Sequence, residues 1–383
     1  MADGNGKTPF YKRELSLRRG RSAKPGRART AKRHKKLVGL TVGASQLAAA
    51  EVVNNGHAHV VKVARQPLER GVVVGGELRD PEALSRALKT FFRKNKLPRR
   101  RVRLGIANNR IGVRIFELEG IDDPKQLENA IWFRAQDALP VGVEHAVLDY
   151  HVLERRLEDD GSVVWRVLLV VAYREAIERY VAACRAAGVK LVGVDLEAFA
   201  LLRALGPSAV DSTDAATVVV SVGHDRATLA VSDGDVCEFT RVLDWGGFAL
   251  DVAVARVLNL TPGDVEPIRQ AVGLSGSGTP AGLSAEQTSS VREAIERQVD
   301  GFARELVSAL RFYQDQPGSR ALGEVVLTGG TSHLSGFAER LGELLGVPVR
   351  VGDPLASMKT RRRVKADTQV GSLAGAIGLG IEV

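Results

Sequence analysis

One pattern occurs twice in this chain and constrains its fold more than any other feature. Ala216–Gly247 opens with a β-branched run, Thr217 to Val220, turns at Gly223 and returns along the alternating run Ala227 to Val231. Leu37–Val53 repeats the layout: a strand, Gly43, a small polar turn and a returning strand, closed by Asn54-Asn55-Gly56. Such a hairpin offers backbone amides at its tip, and amides converging at a tight turn can cradle a phosphate. Two copies about 180 residues apart imply two related halves that face one cleft. The tip residues are Gly43, Ala44 and Ser45 in one copy and Gly223, His224 and Asp225 in the other.

The 383 residues suffice for two domains. There is no uncharged apolar run of membrane-spanning length, and the basic N-terminus lacks the apolar segment of a secretory signal. Cys184 and Cys237 lie in unrelated contexts, which fits a reducing compartment and offers neither metal spacing nor a disulfide framework. The net charge of +9 is unevenly distributed. Residues 1–36 carry 13 Lys and Arg against Asp3 and Glu14, a net of +11, so the remainder is close to neutral at −2. This tail lacks apolar periodicity and is expected to be disordered. Its charge suits an anionic membrane surface. No aromatic residue lies between Gly20 and Lys36 to stack on bases, so no specific nucleic acid is expected.

A third strand is expected at His57–Ala64, an amphipathic helix at Pro81–Asn95 and a strand at Leu104–Ala107. Residues 116–188 read as an inserted α+β block. Its helix, Pro124–Leu139, stops at Pro140; strands His145–Glu154 and Trp165–Tyr173 flank the turn Asp159-Asp160-Gly161; a second helix, Glu175–Ala187, stops at Gly188. Leu191–Val194 resumes the first sheet. In the second half, Leu274–Ser290 reads as a mobile loop, Val291–Tyr313 as a long helix and Gly371–Gly380 as a small-residue helix. Trp132, Trp165 and Trp245 read as core or interface anchors. His224 and His333 are turn residues, and Asp195 is an interlobe or surface carboxylate more readily than a general base.

Several motifs, in this order, resemble the type IV pilus assembly protein PilM family, actin-like relatives of the cell-division protein FtsA. Ile131-Trp132 through Gln136, Pro140 and Leu148-Asp149-Tyr150 is similar to one family segment; Val194-Asp195-Leu196-Glu197 is similar to another. Arg241 with Gly246-Gly247, Leu327-Thr328-Gly329-Gly330-Thr331 with Leu334-Ser335-Gly336, and the Ala376-Ile377-Gly378-Leu379 ending also fit. The resemblance implies an α/β, actin-like (ribonuclease H-like) two-lobed fold with an inserted α+β subdomain. The first actin-like domain would be 37–210, including the 116–188 insertion, and the second 211–383, after the basic tail 1–36. It further implies that ATP, with magnesium if bound, would contact Gly246, Gly247, Glu266, Arg269, Gly329, Gly330 and Thr331 besides the hairpin tips. The implied role is a cytoplasmic scaffold, peripheral on the inner membrane face, for type IV pilus or type II secretion-like assembly. It would dock the N-terminal peptide of a PilN-like membrane protein and could join a pilus motor ATPase complex.

The chain departs from the pattern where metal chemistry would occur. In ATP-binding relatives an Asp opens each hairpin, because magnesium prefers hard oxygen ligands. Thr41 and Ser221 occupy those positions here, and the Glu-x-x-Lys motif reads Glu266-Pro267-Ile268-Arg269. Phosphoryl transfer depends on metal and positive groups placed at developing charge. Losing both acids argues against hydrolysis and for a degenerate nucleotide site. Asp225, four residues past Ser221, is a substitute carboxylate or a plain turn former. The alternative is an active actin-like ATPase or small-molecule kinase.

Overall fold

A computed structural model describes residues 35–382, except 122, 139–144, 159–160, 207–214, 235, 277–278, 357, 361–363 and 365–369. The tail before Lys35, Pro140 and the Asp159-Asp160 turn therefore lie outside the described residues.

The first sheet begins as an antiparallel meander: β1 (Lys35–Val42), β2 (Gln46–Asn55) and β3 (His57–Pro67). A short ribbon, β4 (Val73–Val74) with β5 (Glu77–Leu78), leads to helix α1 (Pro81–Lys94). Asp80 caps α1 by accepting from the Ala83 N–H at 2.8 Å, with Pro81 in the first turn, where its missing N–H costs nothing. β6 (Arg100–Ile106) then joins parallel to β1. β7 (Ile111–Glu119), α2 (Pro124–Ala138), β8 (Ala146–Leu157) and β9 (Val163–Tyr173) build a separate three-stranded sheet with its own small core around Ile131, Val167 and Leu169. The chain returns through α3 (Arg174–Ala186) to β10 (Lys190–Leu196), parallel to β6, and on to α4 (Glu197–Leu205).

The second lobe repeats this order. β11 (Ala216–Val222), β12 (Ala227–Ser232) and β13 (Cys237–Leu243) form a meander, followed by α5 (Gly247–Leu258), α6 (Glu266–Val272) and α7 (Ala285–Gln314). β14 (Leu322–Thr328) pairs parallel to β11; α8 (Phe337–Leu345) and β15 (Val349–Val351), parallel to β14, complete the sheet. The orders β10-β6-β1-β2-β3 and β15-β14-β11-β12-β13 share one topology, so the internal repeat is structural. The last elements return to the first lobe: β16 (Lys359–Thr360) extends its sheet beside β3, and α9 (Ala374–Gly380) lies across β1 and β2.

The apolar runs of β1 and β2 are near-continuous because both faces are covered. Val38, Leu40, Leu47 and Ala49 face one core, with Leu88, Phe91 and Phe92 of α1 and Ile177 and Cys184 of α3. Ala48, Ala50 and Val52 face the other, with Ala376 and Ile377 of α9. Helix α3, expected as part of the inserted block, thus packs into the first lobe. Its Ile177, Tyr180, Ala183 and Cys184 stripe finds the larger core there. The loop expected at Leu274–Ser290 is shorter than its composition suggests. α7 starts at Ala285 because Ser284 and Gln287 form a reciprocal capping box. Trp245 stacks on Phe302 with ring centroids 4.1 Å apart, and buried Trp165 donates to the Ile121 carbonyl at 2.6 Å, as expected of anchors.

Between the lobes, Leu201, Ala204 and Leu205 of α4 pack on Val219, Val326 and Ala374. This contact requires backbones to touch. A Cβ on Gly378 would lie 1.7 Å from the Ala200 carbonyl oxygen, and one on Gly39 would lie 2.0 Å from the Ala376 oxygen. The side chain that is absent at each position sets the helix spacing. Substituting Gly378→Ala is expected to destabilise the protein by about 1–3 kcal/mol through overpacking, read as a lower urea midpoint. The same change at Gly112, whose Cβ would meet nothing within 4 Å, should be close to neutral.

Candidate functional site

The two hairpin tips meet across a cleft between the lobes. In each, the glycine N–H turns back onto the carbonyl three residues later: Gly43 to Gln46 and Gly223 to Arg226, both 2.9 Å. The cleft is lined by Gly43, Ala44 and Ser45 from one tip, Gly223, His224 and Asp225 from the other, and Gly329-Gly330 at the end of β14. Thr41 and Ser221, at the positions of the missing acids, face the same space. Among the described residues no group of three or more His, Cys, Asp or Glu is arranged to hold a metal ion. Thr41 also turns its hydroxyl to the Ala48 carbonyl at 3.4 Å.

The remaining candidates support the second tip from behind. Gly247 N–H and the Thr331 hydroxyl both donate to the Gly223 carbonyl, at 3.0 and 2.9 Å. Phe248 N–H donates to the His224 carbonyl at 2.7 Å, and a Cβ on Gly246 would sit 2.6 Å from that oxygen. Helix α6 starts at Glu266, as its Pro267 suggests, and points Arg269 inward. Arg269 donates to buried Asp251 at 2.7 Å and lies 3.9 Å from Glu266. Gly247 and Thr331 therefore hold the turn in place, and none of Gly246, Gly247, Glu266, Arg269 and Thr331 is among the residues that line this cleft.

Among the lining residues that the sequence did not single out as site residues, Arg226 and Glu197 are the ones that carry charge. Arg226 occupies in the second hairpin the place Gln46 holds in the first, so superposing the repeats would have exposed it. Its guanidinium is largely enclosed and lies 3.8 Å from Asp225, and its Nη1 has no hydrogen-bond partner. Asp225 is committed elsewhere: its carboxylate accepts the Gly75 N–H of the first lobe at 2.7 Å. Burial pushes the Glu197 carboxyl up, while Arg226 and a hydrogen bond from Thr228 oppose that shift. Burial also lowers the His224 imidazole, against the pull of Asp225 and Asp251. The cleft thus holds a cation, one engaged carboxylate and two groups whose charged forms burial disfavours. These residues do not fit a magnesium ion, which needs clustered anionic oxygens. They do fit a phosphate, at which the hairpin amides and the guanidinium can point. The enclosed space is about 90 Å³. That is below the 300–1,000 Å³ or so of pockets that enclose whole cofactors, so the cleft as it stands has room for a small group only.

A second concavity opens where the inserted block meets the first lobe. It is small, about 10 Å³, and its walls are Ile106 of β6, Asn108, Ile111 of β7, Ala172 and Tyr173 of β9, and Ala176, Ile177 and Tyr180 of α3. On the block's outer helix, Trp132 and Phe133 are 42% and 68% exposed. The family segment Leu148-Asp149-Tyr150 runs along β8 in the same block. Burial pushes the Asp149 carboxyl up to about 7, opposed by the Tyr150 N–H and assisted by the negative charge of Asp195. Asp195 itself is paired with Arg203, an architectural role.

Two lobes of one topology, with hairpin tips facing across a cleft and α4 and α9 between the sheets, define an actin-like protein. Within that class, the chain belongs to the type IV pilus assembly protein PilM family, whose family model matches residues 39–382. A chain of the PilM–PilN type IV pilus biogenesis complex has a TM-score of 0.77 and 25% identity, covering 91% of this chain and 98% of that one. The cell division protein FtsA of Escherichia coli strain K12 is 23% identical over 366 residues, 84% of each chain. The ethanolamine utilization protein EutJ of Carboxydothermus hydrogenoformans has a TM-score of 0.52 at 16% identity, covering 90% of this chain and 89% of EutJ. MreB5 of Spiroplasma citri bound to ADP has a TM-score of 0.51 at 11% identity, covering 90% and 94%. The last two likenesses concern the fold alone. No helix among the described residues is long and apolar enough to cross a membrane.

The raised Asp149 carboxyl has a signed consequence for stability. Between its ordinary value of 3.8 and about 7 the folded state holds a proton that the unfolded state has released, so this group lowers stability as pH rises through that window. Asp149→Asn keeps an acceptor for the Tyr150 N–H and removes the titration. Its melting-temperature gain over the parent should grow as pH rises from about 5 to about 7 and level off above that. A gain independent of pH would contradict the assignment.

Proposed function

We propose that this chain is a scaffold at the cytoplasmic face of the inner membrane in type IV pilus, or type II secretion-like, assembly. It seats the N-terminal peptide of a PilN-like membrane protein in the crevice between the first lobe and the inserted block. The observation that carries this reading is the likeness to a chain of a PilM–PilN complex, and the small concavity between the first lobe and the inserted block, with Ala176 on its wall, marks a place for one anchor side chain. The likeness to a PilM–PilN complex supports the choice of partner. A short peptide would use this concavity for one apolar anchor, and exposed Trp132 and Phe133 add apolar surface on the block. The nucleotide cleft is a degenerate one that retains phosphate contacts without turnover, supported by the loss of both metal-side acids at Thr41 and Ser221. The basic tail adds a second, electrostatic attachment to anionic lipid.

Titration of the full chain with a synthetic peptide covering the first residues of the single-span partner tests the docking. Ala176→Arg places a long cation in the crevice from a half-exposed helix position. It should weaken peptide binding by about tenfold or more while leaving the melting temperature unchanged. Undiminished binding by this variant would remove the crevice from the proposal. Deleting residues 1–34 should abolish co-sedimentation with phosphatidylserine-containing vesicles, and about 0.5 M salt should abolish it for the full chain. Peptide affinity should stay unchanged in both cases.

A further inference from the structure

The second hairpin places a guanidinium in the cleft where the chain lacks metal-binding carboxylates, and that exchange has chemical content. Arg226 follows the Gly223-His224-Asp225 tip directly and lines the cleft together with Thr41, Ser221 and Glu197. Its side chain is 11% exposed and its nearest carboxylate oxygen, on Asp225, is 3.8 Å away. Nη1 is enclosed without any hydrogen bond. A guanidinium carries five donors in a fixed fork and stays charged at any physiological pH. One donor of this enclosed guanidinium is left without a hydrogen bond and its ion pair with Asp225 is long, so a further anion in the cleft would complete its set of partners.

Asp225 cannot fully serve as that anion, because its other oxygen is held by the Gly75 N–H across the cleft. Glu197, the other carboxyl in the lining, accepts a hydrogen bond from Thr228 and is enclosed where burial favours its protonated form. Gly76, on the first-lobe side, approaches so closely that a Cβ there would lie 3.1 Å from Nη1. The guanidinium therefore reaches across from the second lobe to the wall of the first, close to both hairpin tips.

We propose that Arg226 takes over the charge-neutralising role of a divalent cation, so that this cleft binds a phosphate-bearing anion without metal. The anion is one phosphate in size where the lobes are closed as here, with the amides of both tips and the Arg226 fork around its oxygens. It is either inorganic phosphate or the terminal phosphate of a nucleotide that enters when the lobes part. This rests on the reading of the cleft as a phosphate site and is independent of peptide docking.

Calorimetric titration of the full chain with inorganic phosphate, pyrophosphate, ADP and ATP, each with magnesium and again with EDTA, tests the proposal. The expected result is binding of at least one of these anions with an affinity that EDTA leaves unchanged. Arg226→Met should weaken it about tenfold or more, the loss of a charge-assisted hydrogen bond. Arg226→Lys should recover part of the affinity. In the absence of ligand, Arg226→Met should raise the melting temperature, because it removes an enclosed charge and substitutes a side chain of similar length. Inorganic phosphate binding as well as ATP would identify the phosphate alone as the ligand; binding by ATP and ADP only would assign it to a nucleotide. Binding that requires magnesium, or that Arg226→Met leaves intact, would overturn the metal-free clamp and leave the phosphate site standing. Failure of every anion to bind at millimolar concentration would overturn both. Peptide affinity measured on the same variants should not change.

Discussion

The fold depends on helices and strands approaching to backbone contact at the centre of the molecule. α9 lies on β1 and against α4 at positions where no Cβ can be accommodated, Gly39 and Gly378 above all. α4 follows the last strand of the first lobe, and α9 is reached only after the whole second lobe. Their tight crossing therefore ties the two halves together and fixes the distance between the hairpin tips. Everything said of the cleft follows from that spacing. The Asp225 carboxylate can reach Gly75, and Arg226 can reach the Gly76 wall, only because the central helices hold the lobes at this separation.

The cleft keeps the backbone of a phosphate site and changes its charge. Hairpin geometry is preserved in both copies down to the same 2.9 Å turn bond. The reason is that the turn is a property of glycine and backbone, which a Thr or Ser on the preceding strand does not disturb. Electrostatics, by contrast, depends on side chains. Thr41 and Ser221 bring no charge to the cleft lining, where Arg226 and Asp225 place opposite charges 3.8 Å apart. Shape complementarity survives loss of the acids, while stabilisation of developing charge does not.

Much of the architecture was legible in residue order. The duplicated strand–glycine–strand unit and the helix beginning at Pro81 rest on local periodicity and turn residues and stand as expected, while the block read as 116–188 has a sheet that starts at Ile111 and a second helix that packs into the first lobe. What sequence reading missed has a common cause. Ser284 and Gln287 lie in a stretch rich in Gly, Ser and Ala, so the composition masked a capping box that starts α7 early. The stripe of α3 shows that it is buried but not which core buries it. Gly247, Arg269 and Thr331 match motif positions, yet their donors are turned to the Gly223 carbonyl and to Asp251, which only long-range geometry reveals.

The order of residues by itself determined the actin-like class, the family, the repeat and the absence of acids at Thr41 and Ser221. These are properties of spacing and residue type, readable without distances. Only the tertiary structure decided that Asp225 is spent on the opposite lobe, that Arg226 stands enclosed with Nη1 lacking a hydrogen bond, and that a small concavity lies between the first lobe and the inserted block. Each of those facts joins residues far apart in the chain. The interaction energy of a charge or an apolar wall is set by what surrounds it in space, which local sequence does not encode.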